Sequence, residues 1–294
     1  MKTILAVDAG GTKTRCVLLD ENSRILAEAV TGCGNLALDY REAQANITEV
    51  LKRCLPAEKP EGVVVGAAGV SAAGAAEALT AALQAAFALP VSVVSDGCLA
   101  LYGALEDRDG ILVVSGTGSI IQGKKNGVLE RCGGWGHLLG EYGSGAGIGY
   151  RLLTVLVQCI DTGTPVPKLT EAVYDSLGVR DRGELVTYVY SHPKADIAGL
   201  AAAADTLAEA GDGYAKSVLI TEAHALAGWT AHLYRRMGFA AEEIRTSGGC
   251  IGNLPYFREQ YRERLQELLP DAALCMDPFD PAQGAWHYYR QMRP

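Results

Sequence analysis

Residues 111–123, ILVVSGTGSIIQG, hold two apolar runs parted by five small residues, Ser115 to Ser119. Short apolar runs bounded by turn chemistry mark buried strands, so the stretch predicts strand, tight loop, strand. Residues 4–19, ILAVDAGGTKTRCVLL, have the same shape. A loop of glycines and hydroxyl residues turns several backbone N–H groups one way and lets a ligand approach with no Cβ in its path. One such loop can cradle a phosphate. Two of them, on matching repeats, suit a polyphosphate chain clamped in a cleft between domains. The plain alternative for either loop alone is a glycine-rich hairpin that binds nothing.

Outward from these two stretches, the order of elements repeats. Strands are expected at Ile4 to Asp8, Arg15 to Asp20 and Arg24 to Val30, followed by a helix over Arg41 to Leu55 and a buried strand in GVVVGAAG. A helix over Ala75 to Ala88, the strand VSVVSD and the helix CLALYGAL complete the first half. After EDRDG come three strands again, ILVVSG, SIIQG and GVLERC, with the tight turn KKNG between the last two. Long helices follow, then the strand candidates EEIRTSG and DAALCM around a helix from Pro255 to Leu269, and a last helix near Gln283 to Arg290. The expected fold is α/β with two domains, 1–108 and 109–294, the second enlarged by a helical insertion over about 145–237. No Ser/Gly/Pro-rich linker parts them, so the boundary is expected to be a compact hinge.

A chain of 294 residues, 49% hydrophobic and 20% charged, is long enough for two domains at ~150 residues each. Its formal net charge of −8 argues against nucleic acid or an anionic membrane as partner, because both need clustered Lys and Arg. No apolar run approaches the ~20 residues of a membrane span, and Asp8 interrupts the first one too early for a signal segment. A cytoplasmic protein with a small-molecule partner is expected. The eight cysteines show no zinc-site spacing and are expected to be small buried hydrophobes.

Neither G-x-x-x-x-G-K-[ST] nor a G-x-G-x-x-G after a strand occurs. GSGAGIG, residues 143–149, is expected to open a helix, with close packing as the reason for its glycines. Asp8, ending the first strand beside the first loop, is placed to hold Mg²⁺ through water, and Lys13 adds positive charge. Asp96 ends a predicted parallel strand, where open α/β sheets gather their chemistry. As an alternative it caps the helix that follows. Trp135, between glycines, is either core or an aromatic wall for a ligand. His137 is expected to be structural, and Glu141 taken alone is a solvated charge.

DAGGTKT, VVSDG, SGTGS, CGGWGHLLGEYGSG and SGGC stand in the order found in the actin-like sugar-kinase superfamily. Over essentially the whole chain the sequence resembles the N-acetylglucosamine kinase branch of the BadF/BadG/BcrA/BcrD ATPase family. CGGWGH close after SGTGS is the specific part. The resemblance implies two RNase-H-like domains around a central cleft, with MgATP as donor and the 6-hydroxyl of an amino sugar as acceptor. It leaves room for a homodimer.

By position, Gly10, Gly11, Thr12 and Lys13 match the first phosphate loop, and Ser115, Gly116 and Thr117 the second. Asp96 matches the carboxylate that receives the hydroxyl proton. Asn35, Asp96, Thr117, Gly118, Gly134, Trp135 and Glu141 match sugar-contacting positions; Ala198, Gly248 and Gly249 match the nucleotide side. Two departures stand out. The family's Asp–Glu pair after the tryptophan segment is Glu141–Tyr142 here, and the Asn35 segment lacks an aromatic found in some members. N-acetylglucosamine, glucosamine and N-acetylmuramic acid all remain candidate sugars. The alternative from the same family is an ATPase activator of a CoA-ester dehydratase or reductase carrying an iron–sulfur cluster, but its CAAGTG-like segment is absent and Cys132 and Cys159 have no matching context. A filament-forming or regulatory actin-like ATPase suits CGGWGH less well.

Overall fold

The computed structural model describes residues 1–292, which divide into two compact units. The first contains β1 (Thr3–Ala9), β2 (Thr14–Asp20), β3 (Ile25–Thr31), α1 (Tyr40–Cys54), β4 (Gly62–Ala67), α2 (Ala75–Phe87), β5 (Val91–Ser95) and α3 (Asp96–Leu105). Its sheet runs β3-β2-β1-β4-β5, with antiparallel pairing through β1–β2–β3 and parallel pairing through β1–β4–β5.

β1 is apolar at nearly every position because both of its faces are covered. Leu5, Val7 and Ala9 join the core beneath α1 and α2, whereas Ile4 and Ala6 join Val17, Leu19, Val64 and Leu99 on the opposite face.

The second unit, Asp109–Asp277, opens with β6 (Gly110–Ser115), β7 (Ser119–Lys125) and β8 (Val128–Gly133). Asn126 and Gly127, at φ 50° and 79°, form the two-residue turn between β7 and β8, whose positive dihedrals match the strand twist. Six helices follow: α4 (Gly145–Asp161), α5 (Pro167–Leu177), α6 (Arg182–Ser191), α7 (Lys194–Ala198), α8 (Leu200–Glu209) and α9 (Gly213–Arg236). They run without an intervening strand from Gly145 to Arg236. β9 (Glu243–Ser247), α10 (Gly249–Asn253), α11 (Pro255–Leu268) and β10 (Ala273–Cys275) complete the unit. Its sheet order, β10-β9-β6-β7-β8, repeats the first sheet strand for strand and sense for sense.

One boundary differs from expectation. The sequence reading assigned 109–294 to one domain, but the segment from Pro278 onward belongs to the first unit. A 3-10 turn, Pro281–Gln283, and α12, Gly284–Met292, bury Ala282, Ala285 and Trp286 on the β1–β2–β4 face beside α3. Contact with α3 is so close that a Cβ on Gly284 would collide with the Gly103 amide. Burying these apolar groups, at roughly 25 cal/mol per Å², ties the segment to that face.

Candidate active site

In the first unit, β1 and β2 hold the glycine loop between them. The Gly10 amide donates to the Lys13 carbonyl at 3.0 Å, and the Gly34 amide donates to the Gly10 carbonyl at 2.9 Å. Gly11, Thr12 and Lys13 are exposed, and a Cβ on Gly11 would meet nothing within 4 Å. Space in front of the loop is therefore open. The Leu36 amide donates to the Ala68 carbonyl at 2.9 Å, so the segment carrying Asn35 is fastened both to this loop and to the end of β4. Asn35 Oδ1 accepts from the Ala37 amide at 3.0 Å.

Asp8 is the register partner of Arg15 across the β1–β2 pair. Burial pushes its carboxyl above the usual range, as do the charges of Asp96 and Asp280, while Arg15 and Lys13 oppose the rise. Arg15 Nη1 lies 2.8 Å from both oxygens of Asp280, and its Nε lies 2.9 Å from Glu28 Oε1. The two carboxylates hold the guanidinium protonated. Asp280 escaped the sequence reading, although Asp-Pro ahead of an apolar segment is a capping signal and Asp280 Oδ1 does accept the Ala282 amide.

Asp96 is the first residue of α3, and the cap is its neighbour: Ser95 Oγ accepts the Cys98 amide at 3.0 Å. This overturns the capping alternative. Asp96 is accessible to solvent and accepts from the Gly97 amide at 2.8 Å. The surrounding protein still desolvates its carboxyl enough to raise it above the ordinary value, against the pull of that amide.

In the second unit, the loop Gly116–Thr117–Gly118 is closed by the Gly116 amide donating to the Gly118 carbonyl at 2.9 Å. Ser115 is fully buried and donates its hydroxyl to the Gly143 carbonyl at 2.5 Å; Ser119 donates to Tyr142 at 2.8 Å. The Ser115 hydroxyl, without access to solvent, stitches the loop to the segment ahead of α4. Thr117 is the exposed hydroxyl of the loop.

The GSGAGIG glycines pack as expected. Gly145 donates its amide to the Gly116 carbonyl at 2.7 Å, and a Cβ on it would press on Ala198 at 3.1 Å. Gly248, at φ 101°, faces Ser115 so closely that a Cβ would strike its carbonyl. Gly249 lies 3.7 Å from the position a Gly116 Cβ would take. Gly116, Ala198, Gly248 and Gly249 accordingly surround one spot.

The sugar-matching residues of this unit also converge. Glu141 lies against Gly118, where a Cβ would come within 2.8 Å of its Oε2, and the Gly134 amide donates to the Ser119 carbonyl at 3.1 Å. Trp135 is 63% exposed, which excludes a core role, and Arg131 stacks on its ring at 4.6 Å. A cavity of about 250 Å³ adjoins these residues, lined by Ile120, Leu139, Tyr142 and Trp229 among others.

Two further residues of the second unit were missed. Lys194, on α7, pairs with Glu141. Glu222, on α9, accepts from the Gly143 amide at 2.7 Å and from Arg151 Nε at 2.6 Å. Its position among Val218, Leu219, Ala223 and Leu226 on the buried face of α9 was a readable signal, since a charge on an apolar stripe needs a partner.

Among the described residues, no helix is long and apolar enough to cross a membrane, and no group of three or more His, Cys, Asp or Glu could hold a metal ion.

An N-acetylmuramic acid/N-acetylglucosamine kinase of Clostridium acetobutylicum is 27% identical over 297 residues, covering 97% of each chain. An N-acetyl-D-glucosamine kinase of Dictyostelium discoideum is 27% identical over 305 residues, covering 96% of this chain and 95% of that one. A solved structure from Chromobacterium violaceum, provisionally named an N-acetylglucosamine kinase, superposes with a TM-score of 0.79 at 26% identity, covering 97% of this chain and 98% of the other. The profile of one family matches residues 5–288, taking in both glycine loops, Asp96 and the closing segment on the first unit. The chain belongs to the BadF/BadG/BcrA/BcrD ATPase family.

Proposed function

We propose that this protein is an ATP-dependent amino-sugar kinase acting on the 6-hydroxyl of N-acetylglucosamine or a related sugar. The observation that carries the reading is Asp96. Ser95 takes the capping duty, so a solvent-accessible carboxylate with a raised pKa is left at the carboxyl end of a parallel strand, free to accept a proton. In this reading Asp96 orients the sugar hydroxyl and receives its proton. Amides of Gly10 to Lys13 and the Gly116–Thr117 loop hold phosphate oxygens, Ala198, Gly248 and Gly249 line the nucleotide, and Asn35, Trp135 and Glu141 contact the sugar.

Mg²⁺ would neutralise phosphate charge during transfer. Asp8 fits that ion: a desolvated carboxyl already burdened by two neighbouring carboxylates gains most from a cation. The fit would be through water, since Mg²⁺ dehydrates reluctantly and keeps several of its waters. A reducing cytoplasm suits the eight free cysteines.

The direct test is ADP release with MgATP across a panel of amino sugars and plain hexoses; activity on plain hexoses alone would overturn the reading. A pH profile supplies a second test. A base works only when ionised, so activity falls as pH drops through its pKa. Because desolvation raises Asp96, the acid limb of kcat/KM should lie above the ordinary aspartate value of about 3.9. A limb at or below that value would remove Asp96 as the base.

A further inference from the structure

Glu141, the carboxylate at the candidate sugar site, is nearly enclosed: its side chain is 9% exposed and rests on the backbone of Gly118. Lys194 reaches it with Nζ 3.1 Å from Oε2 and 3.4 Å from Oε1. Lys194 opens α7, the short helix that also carries Ala198 at its other end. One five-residue element therefore touches the sugar-matching carboxylate and supplies a nucleotide-matching residue.

Candidate sugars differ most in charge. An unacylated hexosamine carries an ammonium, an N-acetylated one is neutral, and one with a carboxyalkyl ether is anionic. An enclosed carboxylate with no partner would draw the ammonium, because a poorly hydrated charge is attracted strongly to any cation within several ångströms. With Lys194 beside it, the pair is neutral and that attraction is cancelled. The neighbouring cavity points the same way. Its apolar and aromatic lining, including the Tyr142–Trp229 stack at 6.1 Å, suits an acyl methyl group and disfavours a desolvated ammonium.

We propose that Lys194 is a specificity-determining residue: by neutralising Glu141 it turns the site away from protonated amino sugars and toward N-acylated ones. The proposal rests on the amino-sugar kinase reading. Lys194 acts through Glu141, so its removal changes the ratio between substrates rather than activity as a whole.

The test compares glucosamine, at a pH where its amine is protonated, with N-acetylglucosamine. Both kcat/KM and calorimetric Kd are measured for the parent, Lys194→Met and Lys194→Arg. In Lys194→Met the preference should move toward glucosamine by on the order of tenfold, the scale of one uncompensated charge at several ångströms. Lys194→Arg should restore the parent ratio, and adding Glu141→Gln to Lys194→Met should abolish the gain. An unchanged ratio in Lys194→Met, or equal weakening of both sugars, would overturn the assignment and leave Lys194 a packing role. The two readouts separate the underlying reading. A parent that binds both sugars but phosphorylates neither defeats the kinase reading, while the ratio of Kd values still decides for or against Lys194. A parent that binds neither sugar defeats both.

Discussion

Asp96→Asn should lower turnover by roughly 10² to 10⁴ and leave the melting temperature unchanged or slightly raised. The amide keeps the shape of the carboxylate and can still accept from the Gly97 amide, while Ser95 continues to cap α3. Fold and helix end therefore stay intact. Removing this charge also relieves Asp8, whose carboxyl is raised in part by Asp96, so no loss of stability is expected. The measurements are kcat, melting temperature and sugar Kd on the same preparation. Turnover within tenfold of the parent would take Asp96 out of the mechanism.

Arg151→Met should destabilise the second unit by about 3 kcal/mol, more than Glu222→Gln does. Glu222 is buried, with 4% of its side chain exposed, whereas Arg151 is 42% exposed. Without Arg151 the carboxylate stays buried with its bond from the Gly143 amide, and breaking a buried pair from one side costs about 3–5 kcal/mol. The low end applies because the arginine side of the pair is open to water. In Glu222→Gln the side chain can still accept from Gly143, and Arg151 can turn to solvent.

Urea unfolding of the two variants and the parent reads this difference directly. Equal losses for both variants would show that the pair is not the source.

Much of this fold was legible from short stretches. ILVVSGTGSIIQG predicted strand, loop and strand because β6 and β7 are set by apolar runs and the break by its small residues, all within thirteen positions. Asn-Gly between Lys125 and Val128 predicted its own turn, and GSGAGIG its helix opening and close packing. The repeated order of elements along the chain was readable for the same reason. Periodicity and turn chemistry depend on neighbours a few residues away, and each half carried the same local signals.

The candidate site was legible as residue types but not as partners. Ser115 and Ser119 have the chemistry of a phosphate loop, yet their hydroxyls satisfy carbonyls 28 and 23 residues further on. Asp96 and Ser95 are both good capping residues, and backbone geometry assigned the cap to Ser95. Glu141 looked like a solvated charge until α7 brought Lys194, 53 positions away, against it.

By itself the sequence determined two α/β repeats, the order of their elements along the chain and the two glycine-rich breaks between strands, since each follows from local pattern. Tertiary structure decided that the segment from Pro278 closes the first unit, that Arg15 is clamped by Asp280 from 265 residues away, and that Glu141 and Glu222 are paired with Lys194 and Arg151. The reason is that a buried polar group must find a partner, and which one it finds depends on what the packed chain brings within about 3 Å rather than on what lies beside it in sequence.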